Sequence, residues 1–259
     1  MKANKEIKRD EGAAKIFDDR SLEVDYRTLV PVLRPGLRVL DVGCGTGAIS
    51  KGMASYVGPT GYVTGIDNTE KFILSGKETY NDVPNLELLH TDLFSFEPEE
   101  KFDMITAARV LQWLNNPLEA LLKMKSMLKP GGQISILDYN HEAIEWRPAP
   151  PLSMQKFYNT FLKWRSDAGM NNRIADELAA YFSQAGLHTI EVIEANEVYH
   201  RGENSRLAIW TKVAGLKQIV EEGYIKEEER LLAIEDYNRW IEQDAEQMTL
   251  RLNEVRGRL

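Results

Sequence analysis

The residues best placed to do chemistry are the glycines of Val39-Leu40-Asp41-Val42-Gly43-Cys44-Gly45-Thr46-Gly47 and two aspartates further along, Asp67 and Asp92. A glycine turn between an apolar run and a helix lets a ligand approach the backbone closely. The helix that follows offers free N–H groups and a positive dipole end, a combination suited to a nucleotide-like group. Asp67 comes 20 residues after Gly47, at the end of a second apolar run. A carboxylate there can accept both hydroxyls of a ribose. Asp92, in His90-Thr91-Asp92-Leu93, follows a third run and can accept the exocyclic amine of an adenine lying across the strand ends. Each aspartate alone also fits a turn or helix cap. The dinucleotide fingerprint G-x-G-x-x-G places its third glycine one residue later than Gly47. Three matched features at successive strand ends therefore point to a nucleoside cofactor other than a dinucleotide.

The elements that must hold these residues are legible from periodicity. Short aliphatic runs at Arg38–Val42, Tyr62–Asp67, Leu86–His90, Phe102–Ala107 and Gln133–Asp138 read as buried parallel strands. Helices are expected at Ala48–Val57, Glu70–Tyr80 and Pro117–Leu128, the last with Leu118, Leu121, Leu122 and Met124 on one face, Pro at its start and Pro130-Gly131-Gly132 beyond its end. Strand and helix alternation of this kind gives an α/β fold, a doubly wound, mostly parallel Rossmann-like sheet with helical insertions.

Residues 1–33 are expected to be an N-terminal helical segment and 34–138 the cofactor-binding core. Past Asp138 the rhythm breaks. Residues 139–173 carry Pro148, Pro150 and Pro151, then Phe157, Tyr158, Phe161 and Trp164 at helical spacing. This insertion fits either a helix packed on the core by its aromatic stripe or a cap over a substrate. Ala175–Ala185 reads as a helix ended by Gly186, and Thr189–Tyr199 as a sixth strand. Residues 200–246 are expected to add further helical cover. Their acidic stretch 217–246 reads as a solvated face, with Ile219, Val220, Leu231, Leu232, Ile234, Trp240 and Ile241 turned inward. The alternation in Met248–Val255 suggests that 247–259 form a last, edge strand.

Composition narrows the function. The chain has 259 residues, a formal charge of −8, 43% hydrophobic residues and one cysteine. That is enough apolar content for a sizeable core, and a single Cys excludes an internal disulfide or a Cys-rich metal cluster, so no metal is expected. The acidic balance disfavours nucleic acid, which needs a basic field. No run approaches the roughly 20 apolar residues of a membrane span. The expectation is a cytoplasmic protein, monomeric or homodimeric, acting on a small molecule.

Leu40-Asp41-Val42-Gly43-Cys44-Gly45-Thr46-Gly47, the strand end Gly65-Ile66-Asp67, Thr91-Asp92, Phe102-Asp103 and Leu128-Lys129-Pro130-Gly131-Gly132 together resemble the class I S-adenosylmethionine-dependent methyltransferases, strongly over Leu37–Asp138. Within that family the chain is most similar to small-molecule enzymes such as the ubiquinone and menaquinone biosynthetic methyltransferases. The resemblance implies S-adenosylmethionine as cofactor and S-adenosylhomocysteine as product. It implies that Asp41 and the backbone of Gly43, Cys44, Gly45 and Gly47 hold the methionine portion. Asp67, with Asn68 beside it, would take the ribose, Asp92 and Leu93 the adenine, and Ala108 and Arg109 would line the sulfonium end. Two departures stand out. Many relatives carry a histidine after strand four, where this chain has Val110-Leu111-Gln112-Trp113, and the Asn/Asp-Pro-Pro-aromatic motif of nucleic-acid methylating relatives is absent.

Methyl transfer from a sulfonium is an in-line displacement already activated by the cofactor, so the protein must chiefly orient the acceptor and exclude water. The candidates for acid–base or orienting roles are His141 and Tyr139, just past strand five. His141 is favoured because imidazole titrates near neutrality, although a surface position fits it equally well. Gln112, Trp113, Asp138, Tyr158 and Trp164 are candidate substrate contacts. The Cys44 thiol reads as a small filler of the turn, having no adjacent histidine partner. Two rivals remain: an NAD-dependent oxidoreductase, which needs only the first glycine turn and Asp67, and a non-catalytic S-adenosylmethionine-binding module, suggested by Gln112 standing where relatives have histidine.

Overall fold

The computed structural model describes residues 20–259. Most of the expected N-terminal segment therefore lies outside the described residues; what is seen of it is a one-turn helix α1 (Leu22–Asp25) and a 3-10 turn at Val30–Val32.

The core runs β1 (Arg38–Val42), α2 (Ala48–Val57), β2 (Tyr62–Asp67), α3 (Glu70–Thr79), β3 (Leu86–His90), β4 (Phe102–Ala108) and α4 (Pro117–Ser126). Then come β5 (Leu128–Arg147), α5 (Leu152–Asp167), α6 (Ile174–Gln184), β6 (His188–Glu194), β7 (Glu197–His200), α7 (Asn204–Leu207), α8 (Ile209–Ala214), α9 (Gln218–Glu221), α10 (Glu227–Gln243) and β8 (Gln247–Arg258). The sheet order is β3-β2-β1-β4-β5-β8-β6, with β7 also paired to β8. The first five strands are parallel, and β8 is antiparallel to its neighbours. The chain winds outward from β1 to β3, then crosses back to β4 on the other side of β1. That reversal puts the switch point between β1 and β4, and it is in the crevice outside the carboxyl ends of such strands that sheets of this kind bind ligands.

Alternation along the strands feeds two cores. From β1, Val39 packs with α2 and the helical cover, whereas Leu40 and Val42 pack with α4 and α6 on the other face. Side chains buried as completely as Met53, Leu121 and Phe182 each contribute about 1.5–3 kcal/mol by leaving water.

Several sequence expectations are corrected. β5 does not stop at Asp138; it continues to Arg147, so residues 139–147 are strand rather than insertion, and its pairing with β8 shifts register between Asn140 and Glu145. The final strand is not an edge. β8 lies between β5 and the β6/β7 pair, which together form the edge, and Thr189–Tyr199 is two short strands rather than one. The physical reason is that β8 buries Met248, Leu250, Leu252 and Val255 completely, which an edge position would leave half-wet. On α4 it is Ala120, Leu121 and Met124 that face inward, and Leu122 is half exposed. On α10 the inward face is Ala233, Tyr237, Trp240 and Ile241, so Leu231 and Leu232 stand in solvent.

Candidate functional site

The glycine turn is docked onto the second strand by its own backbone. The N–H groups of Gly43 and Cys44 donate to the Ile66 carbonyl at 2.8 and 3.0 Å. Gly43 has φ +69°, and a Cβ on it would lie 2.4 Å from a Val110 methyl. Gly47, the residue before α2, has φ +83°, and a Cβ on it would lie 2.8 Å from both Leu88 methyls. Only glycine meets both demands. Asp67 completes the turn: Oδ2 accepts the Gly45 N–H at 3.0 Å and Oδ1 the Thr69 N–H at 2.8 Å.

Asp41 lies beneath, where its carboxylate accepts the hydroxyls of Ser50 (2.6 Å) and Thr106 (3.1 Å). Burial pushes its pKa up to about 6, against the pull of those two hydroxyls. Burial, with Asp41 and Asp67 nearby, also raises the Cys44 thiol well above its usual value, which fits the filler role and not a nucleophile. Asp92 is half-buried, and its Oδ1 accepts the Phe94 N–H at 2.9 Å, so the turn-capping role coexists with a position at the third strand end. Leu93 is buried beside it, and Asn68 is exposed, its carbonyl 3.3 Å from His90 Nε2.

After β4 comes Arg109, expected at the sulfonium end, and its side chain is drawn into a buried network. Arg109 has φ +62° and is buried in an ion pair with Glu197 of β7, while its Nε donates to the Tyr139 hydroxyl at 2.7 Å and Nη1 to the Asp25 carbonyl at 3.0 Å. Burial alone would depress this guanidinium, but Glu197 outweighs it and holds it charged. Glu197 also accepts the Tyr199 hydroxyl, and Arg206 pairs with Asp25 at 2.9 Å. The network ties α1, β4, β5 and β7 together at the mouth of the crevice, and Ala108 is buried just below.

Beside it, the residues following β4 meet β5. Asp138 accepts the backbone N–H groups of Gln112 and Tyr139, both at 3.0 Å; burial raises its pKa to about 6. Gln112 is buried, with Nε2 donating to the Arg109 carbonyl at 3.3 Å and Oε1 2.5 Å from His141 Nε2. His141 is therefore neither a surface residue nor titrating near neutrality. It is 4% exposed, and burial, followed by the charge on Arg165, lowers its pKa well below 6.5. Tyr158 donates to the His141 carbonyl at 2.6 Å. Trp113 lies against the Arg165 guanidinium, 4.7 Å from ring centre to Cζ. Trp164 is fully buried and donates to Glu222, which makes it a tie between α5 and the α9 region and not part of the crevice wall.

Sequence reasoning missed four participants. Arg165 is buried on the inner face of α5, bonded to Asn172 and to the Gln112 carbonyl. Its signal was a charge at the 3.6-residue step of Met154, Tyr158 and Phe161. Glu197 occupies an inward position of a strand that alternates buried and exposed residues. Trp146 and Trp210 close the aromatic cluster over the site, with Tyr158 4.7 Å from Trp210 and 5.2 Å from Trp146 between ring centres. Nothing local in the sequence brings those rings together.

A close-packed glycine turn at the start of α2, with carboxylates at three strand ends, suits an adenosine bearing an amino-acid tail: Asp67 and Asp92 offer acceptors for hydroxyls and an amine, and Asp41 adds negative charge under the turn. Residues 33–205 match the family described as methyltransferase domain. The chain is 31% identical over 178 residues to a demethylmenaquinone methyltransferase of Staphylococcus aureus, covering 62% of this chain and 71% of that protein. Among solved structures, a SAM-dependent methyltransferase from Aquifex aeolicus superposes with TM-score 0.56 at 27% identity, covering 73% of this chain and 94% of that one. The fold also matches a Haemonchus contortus phosphoethanolamine N-methyltransferase with S-adenosyl-L-methionine, at TM-score 0.55 and 15% identity over 89% of this chain and 52% of that one.

Proposed function

The chain belongs to the methyltransferase-domain family and is an S-adenosylmethionine-dependent enzyme that methylates a small molecule; on that premise we propose that it acts on a planar, largely apolar acceptor held under the aromatic cover. Asp67 and Asp92 hold the ribose and the adenine, and Gly43–Gly47 with Asp41 the methionine portion. The observation that carries this reading is the Asp67 carboxylate, which joins the end of β2 to the glycine turn through Gly45 and leaves both its oxygens with a second lone pair for ribose hydroxyls.

When bound, the cofactor supplies a methyl group on a positively charged sulfur. The residues of this chain supply the rest. The first turn of α2, set in place by the glycine turn, presents its N–H groups and a positive helix end to the tail carboxylate. Trp146, Tyr158, Phe161 and Trp210, packed ring against ring, form an apolar wall that excludes water beside a flat acceptor. The relative from S. aureus is named for methylating demethylmenaquinone. Arg109 is neutralised by Glu197, so it adds no net repulsion toward a cationic sulfur.

Among the described residues no helix is long and apolar enough to cross a membrane, and no group of three His, Cys, Asp or Glu side chains is arranged to hold a metal. We place the enzyme in the cytoplasm, on a metabolite and not on nucleic acid, in keeping with a charge of −8. Calorimetric titration with S-adenosylmethionine, S-adenosylhomocysteine and NAD tests the site. Saturable binding of the first two is expected, weakened at least tenfold in Asp67→Ala and in Asp92→Ala. Unchanged affinity in both variants, or a preference for NAD, would remove the assignment.

A further inference from the structure

Gln112 and His141 form a buried pair whose orientation is overdetermined. The Gln112 amide nitrogen is fixed by the Arg109 carbonyl, so its oxygen is the end that faces His141. An amide oxygen only accepts, so the imidazole must carry its proton on Nε2 and donate it. The other ring nitrogen, Nδ1, then holds a bare lone pair. It is buried and has no hydrogen-bond partner, in a side chain 4% exposed. Buried acceptors left unpaired are uncommon and unfavourable by an amount comparable to a lost hydrogen bond. Around the ring stand Tyr139, Phe161 and Trp210, with centres at 5.1, 6.0 and 6.2 Å. Phe161 and Trp210 belong to the helical cover, on α5 and α8, so the partner missing from Nδ1 would arrive among aromatic faces.

We propose that His141 Nδ1 is a specificity contact that accepts a hydrogen bond from a hydroxyl on the aromatic acceptor, and that Gln112 is the positioning residue that fixes the tautomer able to do so. The proposal deepens the reading of the site given above and rests on it. It narrows the acceptor to a planar ring bearing a free O–H, and it disfavours the same ring with that oxygen already methylated. Because the imidazole stays neutral through the physiological range, the contact persists without a change of charge. Gln112 thus acts through His141: by fixing the tautomer it governs which hydrogen-bonding group the imidazole accepts.

Two measurements test this. In wild-type protein saturated with S-adenosylhomocysteine, a nitrogen-detected NMR spectrum of the histidine ring should show His141 protonated at Nε2 and bare at Nδ1. Addition of 1-naphthol as probe should move the Nδ1 resonance in the direction of an accepted hydrogen bond, and 1-methoxynaphthalene should not. By calorimetry 1-naphthol should bind about tenfold more tightly than its methyl ether, the effect of one buried hydrogen bond made or left unmade. Gln112→Leu should abolish that discrimination, and Gln112→Glu, which still accepts from Nε2, should keep it. An Nδ1-protonated tautomer in the wild type, or equal binding of the two probes to cofactor-saturated protein, overturns the proposal even if Gln112→Leu fails to fold. Failure of the wild type to bind S-adenosylhomocysteine at all would instead strike the underlying site assignment.

Discussion

Replacing Gly43 with alanine should damage the turn through two separable effects. The first is conformational: φ is +69°, and holding an L-residue there costs about 1–2 kcal/mol. The second is contact. The new Cβ would lie 2.4 and 3.1 Å from the two methyl carbons of Val110 and 3.4 Å from its Cβ, an overpacking worth about 1–3 kcal/mol. Gly223 supplies the control, because it has φ +79° but nothing within 4 Å of an added Cβ. Gly223→Ala should therefore show the first effect alone. Urea unfolding at constant m-value reads both, and Gly43→Ala should be the more destabilising by about 1–3 kcal/mol. Val110→Ala removes the two closest carbons, so the double variant Gly43→Ala/Val110→Ala should recover most of that difference as a favourable coupling. On the proposed reading cofactor affinity should also fall in Gly43→Ala, since a shifted turn displaces the Gly45 N–H that holds Asp67 in place. Equal losses in the two glycine variants, or strict additivity in the double variant, would refute the steric account of this turn.

Breaking the buried ion pair by Glu197→Gln should cost about 3–5 kcal/mol, since Arg109 is then left charged and underpaired; urea unfolding would show it, and a change below 1 kcal/mol would contradict the burial assigned to the pair. On the proposed reading the Asp41 carboxylate attracts the ammonium of the cofactor's tail, and burial lifts its pKa to about 6, so affinity for S-adenosylmethionine should be full above that pH and fall as the pH drops through it; a flat calorimetric profile from pH 5 to 8 would exclude this role. Asp138 is raised from 3.8 to about 6, so its protonated form favours the native state: that contribution is complete below about pH 4 and lost as pH rises through 6. In Asp138→Asn the stability difference from wild type should change by about 3 kcal/mol across that window. His141 is shifted the opposite way, so it opposes the native state as pH falls below 6.5, and His141→Phe should reduce acid sensitivity in the same unfolding series.

What the sequence determined by itself is the part of the protein in which structure is local. β1, β2 and β3 begin and end at the residues periodicity assigns, as does α2. Each is a short apolar run punctuated by residues with a fixed backbone role. The glycine turn and the aspartates at the strand ends were legible for the same reason: a turn, a strand end and a helix start sit within a few residues of one another. Tertiary structure decided the rest. The continuation of β5 to Arg147 depends on β8 arriving from about a hundred residues away to pair with it, and no local pattern in 139–147 shows that partner. His141 became a buried neutral acceptor because Gln112, Arg165 and the rings of α5 and α8 converge on it, and the Arg109 side chain was captured in an ion pair by a glutamate on β7. Burial and pairing are properties of a neighbourhood, and in this chain the neighbourhood of the acceptor site is assembled from segments that meet only when the sheet closes.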